Sequence, residues 1–100
     1  MQFFIRGKTH DEIIQLNVRL IEISPYGKFF VDHRHNECDP TQWRIGYAIT
    51  EPQTGTMICY SRKMRDAVND SVRIIKRKGK KHLTERISKF TSKYGILNDV

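Results

Sequence analysis

The chain has 100 residues, of which 38% are hydrophobic and 10% aromatic, and this composition excludes an intrinsically disordered protein. No apolar run approaches the ~20 residues that a membrane-spanning helix needs, and no signal-peptide pattern is present, so we expect one cytoplasmic domain over residues 1–100. The 18 Lys and Arg residues outnumber the 11 Asp and Glu residues, giving a formal net charge of +7.

This positive charge is concentrated in the last third of the chain. Residues 62–93 contain twelve Lys or Arg and three acidic residues, a net charge of +9, whereas the remainder carries −2. The densest stretch is Arg73–His82, with six Lys or Arg, no acidic residue and a single glycine, Gly79. Such segregation predicts an anionic partner: nucleic acid, an acidic protein or a lipid surface.

The first predicted element is a strand over Gln2–Arg6, which ends at Gly7. The next segment supports two interpretations. Thr9-His-Asp-Glu12 matches a helix capping box, but the following apolar residues alternate with polar ones as in a strand. The alternating apolar residues are Ile14, Leu16, Val18 and Leu20. We predict a strand over Glu12–Ile23; the helical alternative would give the order α-β-β-β-α.

Two turns and three further strands complete the predicted sheet. Ser24–Gly27 has the composition of a type I turn, so Lys28–Arg34 is expected to return antiparallel. After a polar loop over His35–Pro40, Trp43–Thr50 alternates most clearly. Glu51–Gly55 then predicts a hairpin loop with Gly55 in the left-handed conformation, and Thr56–Tyr60 is expected to pair back. The result is an antiparallel meander of four or five strands.

The apolar period changes to that of helices after Ser61, a predicted N-cap. The residues expected to face the sheet are Met64, Ala67, Val68, Ser71, Val72 and Ile75. Gly79 is predicted to end this helix. A second helix, ending at Gly95, is predicted from the apolar spacing of Leu83, Ile87, Phe90 and Tyr94. The fold class is therefore α+β, with the sheet packed against a basic amphipathic helix and a second C-terminal helix.

The basic helical region predicts a small, non-enzymatic nucleic-acid-binding protein. Lys and Arg side chains neutralise backbone phosphates and release counterions, and six cations in ten residues exceed what complementing a helix dipole requires. The predicted phosphate contacts are Arg62, Arg65, Arg73, Lys76, Arg77, Lys78, Lys80 and Lys81. The alternative partner is an acidic protein, docked by the same helix of a regulatory module. The interpretation without a binding partner is that these cations form a solvated helix surface.

Exposed aromatic rings beside these cations would add a stacking platform for unpaired bases. By position, the candidates are Tyr26, Tyr60 and Tyr94, and the arginines that could line the outer sheet face are Arg19, Arg34 and Arg44. We favour the alternative in which Trp43 and Tyr47 belong to the core and the other tyrosines cover the ends of strands or helices.

The segment around His33 is the one cluster with metal-ligand chemistry. His33, His35 and Cys38 supply three candidate zinc ligands, but a closed structural site needs four. A nuclease could use His33 or His35 as general base, with Asp32 or Glu37 holding a metal. No nucleophile elbow, phosphate-binding glycine loop or dinucleotide fingerprint is present. We therefore predict a plain polar loop, with no metal and no cofactor.

Two short segments resemble nucleic-acid-binding families. A three-stranded sheet followed by a helix, with Pro52-Gln-Thr-Gly55 in the second hairpin, resembles the arm-type DNA-binding domains of tyrosine recombinases. With residues 9–23 helical, Ser61-Arg-Lys-Met64 at the start of the last helix resembles a double-stranded-RNA-binding domain. Each resemblance covers these few residues, and no site residue is carried over from it.

Overall fold

The computed structural model describes residues 2–6, 13–35 and 45–99, which form six strands and two helices. The strands are β1 (Gln2–Arg6), β2 (Ile13–Asn17), β3 (Arg19–Ile23), β4 (Gly27–His35), β5 (Ile45–Glu51) and β6 (Thr56–Ser61). The helices are α1 (Met64–Lys78) and α2 (Lys80–Tyr94). The predicted α+β class, the first strand and both helices are confirmed.

Strands β3 to β6 form the predicted antiparallel meander, in the order β3-β4-β5-β6. The pairing register is regular between β3, β4 and β5. Between β5 and β6 it shifts by one residue, because Ile49 faces Cys59 whereas Thr50 faces Met57. Ile58 is therefore the extra residue of a β-bulge, which increases the local twist of the strand beneath α1.

The segment predicted as one strand over Glu12–Ile23 is two strands that belong to different sheets. Its strand character is confirmed, but the chain leaves the strand conformation at Val18. β2 pairs with β1 in a separate two-stranded sheet, and β3 joins the meander. Val18 is itself buried, so the apolar alternation runs through the break without interruption and does not reveal it.

The main core lies between one face of the meander and α1. Phe29, Val31 and Ile49 of the sheet pack with Ala67 and Ile75 of the helix. Met64, Val68 and Val72 pack around this cluster, and Leu83 of α2 reaches its edge. The predicted sheet-facing stripe of α1 is thus confirmed, including Ser71, whose hydroxyl is buried and donates to the Val68 carbonyl at 2.7 Å.

The opposite face of the meander is covered by the two-stranded sheet. The Phe3 ring of β1 stacks on Phe30 of β4, with ring centroids 4.4 Å apart. Ile5 is fully buried in the same layer. The adjacent residues Phe29 and Phe30 point to opposite faces, and both are buried because each face has a cover.

Two local predictions about turns and caps are wrong. The first turn is closed by the Tyr26 amide donating to the Ile23 carbonyl at 2.7 Å, so it spans Ile23–Tyr26 and does not start at Ser24. Ser61 does not cap α1, because it still pairs with Tyr47 as the last residue of β6. Lys63 holds the N-cap position and makes no side-chain capping bond.

The hairpin loop between β5 and β6 is held by a buried carboxylate. Glu51 accepts hydrogen bonds from the amides of Gln53 at 2.8 Å and Thr54 at 2.7 Å. Gly55 has φ +71°, as predicted, and a side chain there would collide with Leu97. The loop therefore serves as a platform for the end of the chain.

The C-terminal segment joins this loop to the first strand. The Asn98 side chain accepts from the Phe4 amide at 2.9 Å and donates to the carbonyls of Phe4 at 2.7 Å and Pro52 at 2.8 Å. It thereby pairs with β1 as a neighbouring strand would. Beside it, the Leu97 amide donates to Gln53 at 2.8 Å. Neither α1 nor α2 is long and apolar enough to cross a membrane.

Replacing Asn98 is expected to destabilise the whole fold. Asn98→Ala leaves three main-chain groups without their side-chain partner, for an expected loss of about 2–3 kcal/mol in the free energy of unfolding. The midpoint of thermal unfolding should fall by roughly 10–20 °C. Asn98→Asp should be at least as harmful, because a carboxylate oxygen would face the carbonyls of Phe4 and Pro52. Thermal unfolding by circular dichroism measures both changes.

The neighbouring Asp99, which is exposed, supplies the control for this prediction. Asp99→Asn makes the reverse chemical change and should leave the unfolding temperature where it is. Equal midpoints for Asn98→Asp and the natural protein would contradict the role given to the Asn98 amide.

Candidate nucleic-acid interface

The outward side of α1 carries five of the predicted phosphate contacts. Since residues three and four apart share a helix face, packing of Ala67, Ser71 and Ile75 against the sheet turns the opposite side to solvent. The predicted phosphate contacts on and just before this helix are all exposed; they are Arg62, Arg65, Arg73, Lys76, Arg77 and Lys78. Lys80 and Lys81, at the start of α2, are exposed as well.

The chain changes direction at Gly79, which has φ +89° and joins the two helices directly. The Gly79 amide still donates to Ile75 at 2.8 Å, and its carbonyl accepts from Leu83 at 3.2 Å. Lys78 and Lys80 flank the glycine, so their Cα atoms lie at most about 7.6 Å apart. The glycine therefore brings the last turn of α1 and the first turn of α2 together at one corner of the molecule.

We name this group of side chains the corner cations: Arg73, Lys76, Arg77, Lys78, Lys80 and Lys81. Those before and after Gly79 differ in their relation to the helix dipoles. Lys76, Arg77 and Lys78 lie in the last turn of α1, where cations stabilise a helix. Lys80 and Lys81 lie in the first turn of α2, which has no acidic residue and no side-chain cap, although the N-terminal end of a helix favours anions.

Ion pairs do little to neutralise the corner. Arg73 contacts Asp70 at 3.0 Å and Lys81 contacts Glu85 at 4.0 Å, and all four side chains are largely exposed. Exposed pairs of this kind contribute about 0–1 kcal/mol each. Within the described part of the chain, no carboxylate lies within ion-pair distance of Lys76, Arg77, Lys78 or Lys80. After Gly79, Lys81 therefore opposes the dipole of α2 with only the exposed contact to Glu85, and Lys80 opposes it without an ion pair to a described residue.

A second group of exposed basic side chains lies along α2. His82, Arg86, Lys89 and Lys93 follow one another at steps of four, three and four residues, which places them on one ridge of the helix. Beside this basic ridge lie two aromatic residues, Phe90 and Tyr94, with ring centroids 4.6 Å apart. The sequence analysis placed both residues on the apolar face of this helix, and each remains half-exposed.

Arg6 links these two rings to the first strand. Its guanidinium carbon lies 5.4 Å from the Phe90 ring centroid and 5.5 Å from that of Tyr94. It also donates to the carbonyls of Thr54 at 2.9 Å and Tyr94 at 3.4 Å. The sequence gives no local sign of this role, because Arg6 and Tyr94 are 88 residues apart and meet only in the folded chain.

The other predicted stacking residues do not join this group. Tyr26 and Tyr47 pack against the core cluster, as the favoured core interpretation expects for Tyr47. Tyr60 lies across Gly46 on the neighbouring strand. Arg19 is exposed on β3, whereas Trp43 and Arg44 lie outside the described residues, as does the side chain of Arg34. Of the three predicted tyrosines, Tyr94 is thus the one beside exposed cations.

The residues of the alternative metal or nuclease site are described only in part. His33 and His35 belong to β4, and Glu37 and Cys38 lie outside the described residues. Asp32 is buried. Among the side chains that the structure describes, no group of three or more His, Cys, Asp or Glu is placed to hold a metal ion.

Of the two cysteines, Cys59 lies in the part of the chain that the structure describes, and its surroundings disfavour a nucleophilic role. Its thiol donates to the Ala67 carbonyl at 3.0 Å. Burial, with the charge of Asp70 adding to it, raises the pKa of the Cys59 thiol to about 11, although a hydrogen bond with Ser71 acts in the opposite direction. Because the thiolate is the reactive form, this thiol is nearly inert at neutral pH.

Comparisons with known protein families, with curated proteins and with solved structures found no match. The chemistry of the corner cations and of the basic ridge therefore has to be inferred from their geometry alone.

Alkylation kinetics should reflect the burial of Cys59. With a pKa of about 11, roughly a thousandth of the thiol is ionised at pH 8, so labelling of Cys59 by iodoacetamide should be far slower in the folded protein than in urea. The folded rate should rise about tenfold per pH unit between pH 8 and 10. Mass spectrometry of the peptide containing Cys59 measures this rate separately from Cys38; equal rates with and without urea would contradict the assignment.

Proposed function

We propose that this protein binds the phosphate backbone of nucleic acid through the corner cations, assisted by Arg62 and Arg65. The observation that carries the proposal is the placement of Lys80 and Lys81 at the N-terminal end of α2, unmatched by an acidic residue in that turn. A bound phosphate there would interact favourably with the side chains and with the helix dipole at once. The role expected from composition and motifs, a non-enzymatic cytoplasmic protein, is kept in this proposal.

A contribution to folding stability does not by itself explain the presence of the corner cations. The cations before Gly79 complement the dipole of α1, which contributes about 0.3–1 kcal/mol each. Those after it oppose the dipole of α2 by a similar amount, so the fold gains little from the group as a whole. An anionic partner would provide a favourable interaction for the cations that oppose the dipole of α2. Six to eight phosphate contacts on duplex DNA are expected to give a slope of about −5 to −7 for log K against log salt.

An acidic protein could engage the same cations, and salt and competition distinguish it from nucleic acid. A duplex carries a dense, condensed counterion layer, so its binding weakens steeply with salt. Polyglutamate offers the charge of an acidic protein without the spacing of phosphates. If the nucleic-acid proposal holds, unlabelled duplex DNA displaces a labelled duplex at concentrations where polyglutamate of equal charge does not.

Reversing charge on both sides of Gly79 should remove binding and leave the protein folded. The variant Lys76→Glu, Lys80→Glu is expected to lower affinity for duplex DNA by roughly a hundredfold or more at low salt, because two phosphate contacts become repulsive. Its unfolding temperature should change little. Glu at position 76 opposes the dipole of α1, whereas Glu at position 80 complements the dipole of α2, so the two effects offset each other. Filter binding across a salt series measures the affinity.

Arg19 and Lys28 supply a matched control, since both are exposed on the meander and neither belongs to the corner cations. The variant Arg19→Glu, Lys28→Glu makes the same change in net charge and should keep most of the affinity. Equal losses from the two double variants would mean that net charge alone drives binding. Unchanged affinity in the corner variant would remove the corner from the interface.

A further inference from the structure

A groove of about 890 Å³ runs along the exposed side of α2. The basic ridge, His82, Arg86, Lys89 and Lys93, lines it together with the rings of Phe90 and Tyr94. Its size falls within the range of about 300–1,000 Å³ typical of sites that take small organic ligands. The groove is open to solvent and thus suits a segment of a longer molecule.

The aromatic end of the groove is fixed in position. Arg6 lies over both rings and is itself held by the Thr54 carbonyl at 2.9 Å, which belongs to the loop that also anchors the C-terminal segment. Lys93 approaches the Tyr94 ring at 5.2 Å from its centroid. Rings held in this way lose little conformational freedom when a ligand binds, so their contact energy is retained.

The charge of the groove favours an anion. Three permanent cations and a histidine line it at regular helical spacing, and Glu85, which also lines it, is engaged by Lys81 at 4.0 Å. A ridge of regularly spaced cations beside half-exposed rings is the arrangement by which proteins bind single strands, with phosphates along the cations and bases on the rings.

We propose that the groove on α2 binds single-stranded nucleic acid, with an unpaired base stacked on the Phe90–Tyr94 pair and its flanking phosphates on Arg86, Lys89 and Lys93. This inference rests on the proposed function and adds a substrate class to it. The corner cations contact the phosphates of any nucleic acid, whereas the ring pair is accessible only to a base that is not paired within a duplex. The protein therefore prefers single strands.

The test compares ligands on the natural protein before any variant is made. An oligothymidylate of about twelve nucleotides is expected to bind more tightly than an abasic oligonucleotide of the same length, because base stacking adds a favourable contact of roughly five- to hundredfold in affinity. A duplex with the same number of phosphates should resemble the abasic strand. Fluorescence anisotropy at fixed salt measures all three, and an oligoribonucleotide of equal length distinguishes RNA from DNA as the single strand.

Variants then test whether the two rings cause the preference for oligothymidylate over the abasic strand. Tyr94→Leu should lower the affinity for oligothymidylate by roughly tenfold and leave duplex binding unchanged. Tyr94→Phe keeps the ring and should bind as the natural protein does. Lys89→Glu with Lys93→Glu changes only exposed residues and should weaken single-strand binding without affecting the fold. A base analogue that loses fluorescence on stacking, placed in the oligonucleotide, should be quenched by the natural protein and by Tyr94→Phe alone.

Each failure has a separate meaning. If oligothymidylate and the abasic strand bind equally, or if Tyr94→Leu and Lys89→Glu, Lys93→Glu both keep the natural preference, the stacking site is overturned while phosphate binding at the corner stands. If the natural protein binds neither duplex nor single strand at low salt, both proposals are overturned.

Discussion

The fold depends on burying both faces of its central strand, β4. Phe29 and Val31 face the α1 side, and Phe30 faces the two-stranded sheet, each with at most 5% of its surface exposed. A strand of this kind needs a cover on each side, which here comes from α1 and from β1 with β2. Covering β4 uses the apolar stripe of α1 but leaves its outer face, and nearly all of α2, in water. The cations occupy that remaining surface.

Patterns that are local in sequence were enough to predict the meander, both helices and the sheet-facing stripe of α1. Alternation at Trp43–Thr50 and the helical spacing of Ala67, Ser71 and Ile75 each describe one element packed against one layer. Val18 shows where such patterns stop being informative. Because Val18 is buried at the break between β2 and β3, the apolar alternation continues through it, and the sequence does not show where the chain passes from one sheet to the next.

The two parts of the candidate interface also differ in how far the sequence predicts them. The corner cations are contiguous in sequence and could be found there as a charge run, and the structure adds the contrast between the two sides of Gly79. The groove on α2 could not be found in this way, because the helical spacing of Phe90 and Tyr94 is typical of core residues. Their half-exposure depends on α2 meeting the core mainly through Leu83, and their fixed position on Arg6, at the far end of the chain.

The pairing of Asn98 with Phe4 joins residues 94 positions apart, and this separation affects the order in which the structure can be completed. A ribosome releases Asn98 long after β1 has emerged, and until then one edge of β1 lacks the side chain that satisfies it. Exposed strand edges are sites of unwanted pairing between chains. During synthesis, this edge of β1 is therefore open to pairing with other chains until Asn98 is in place.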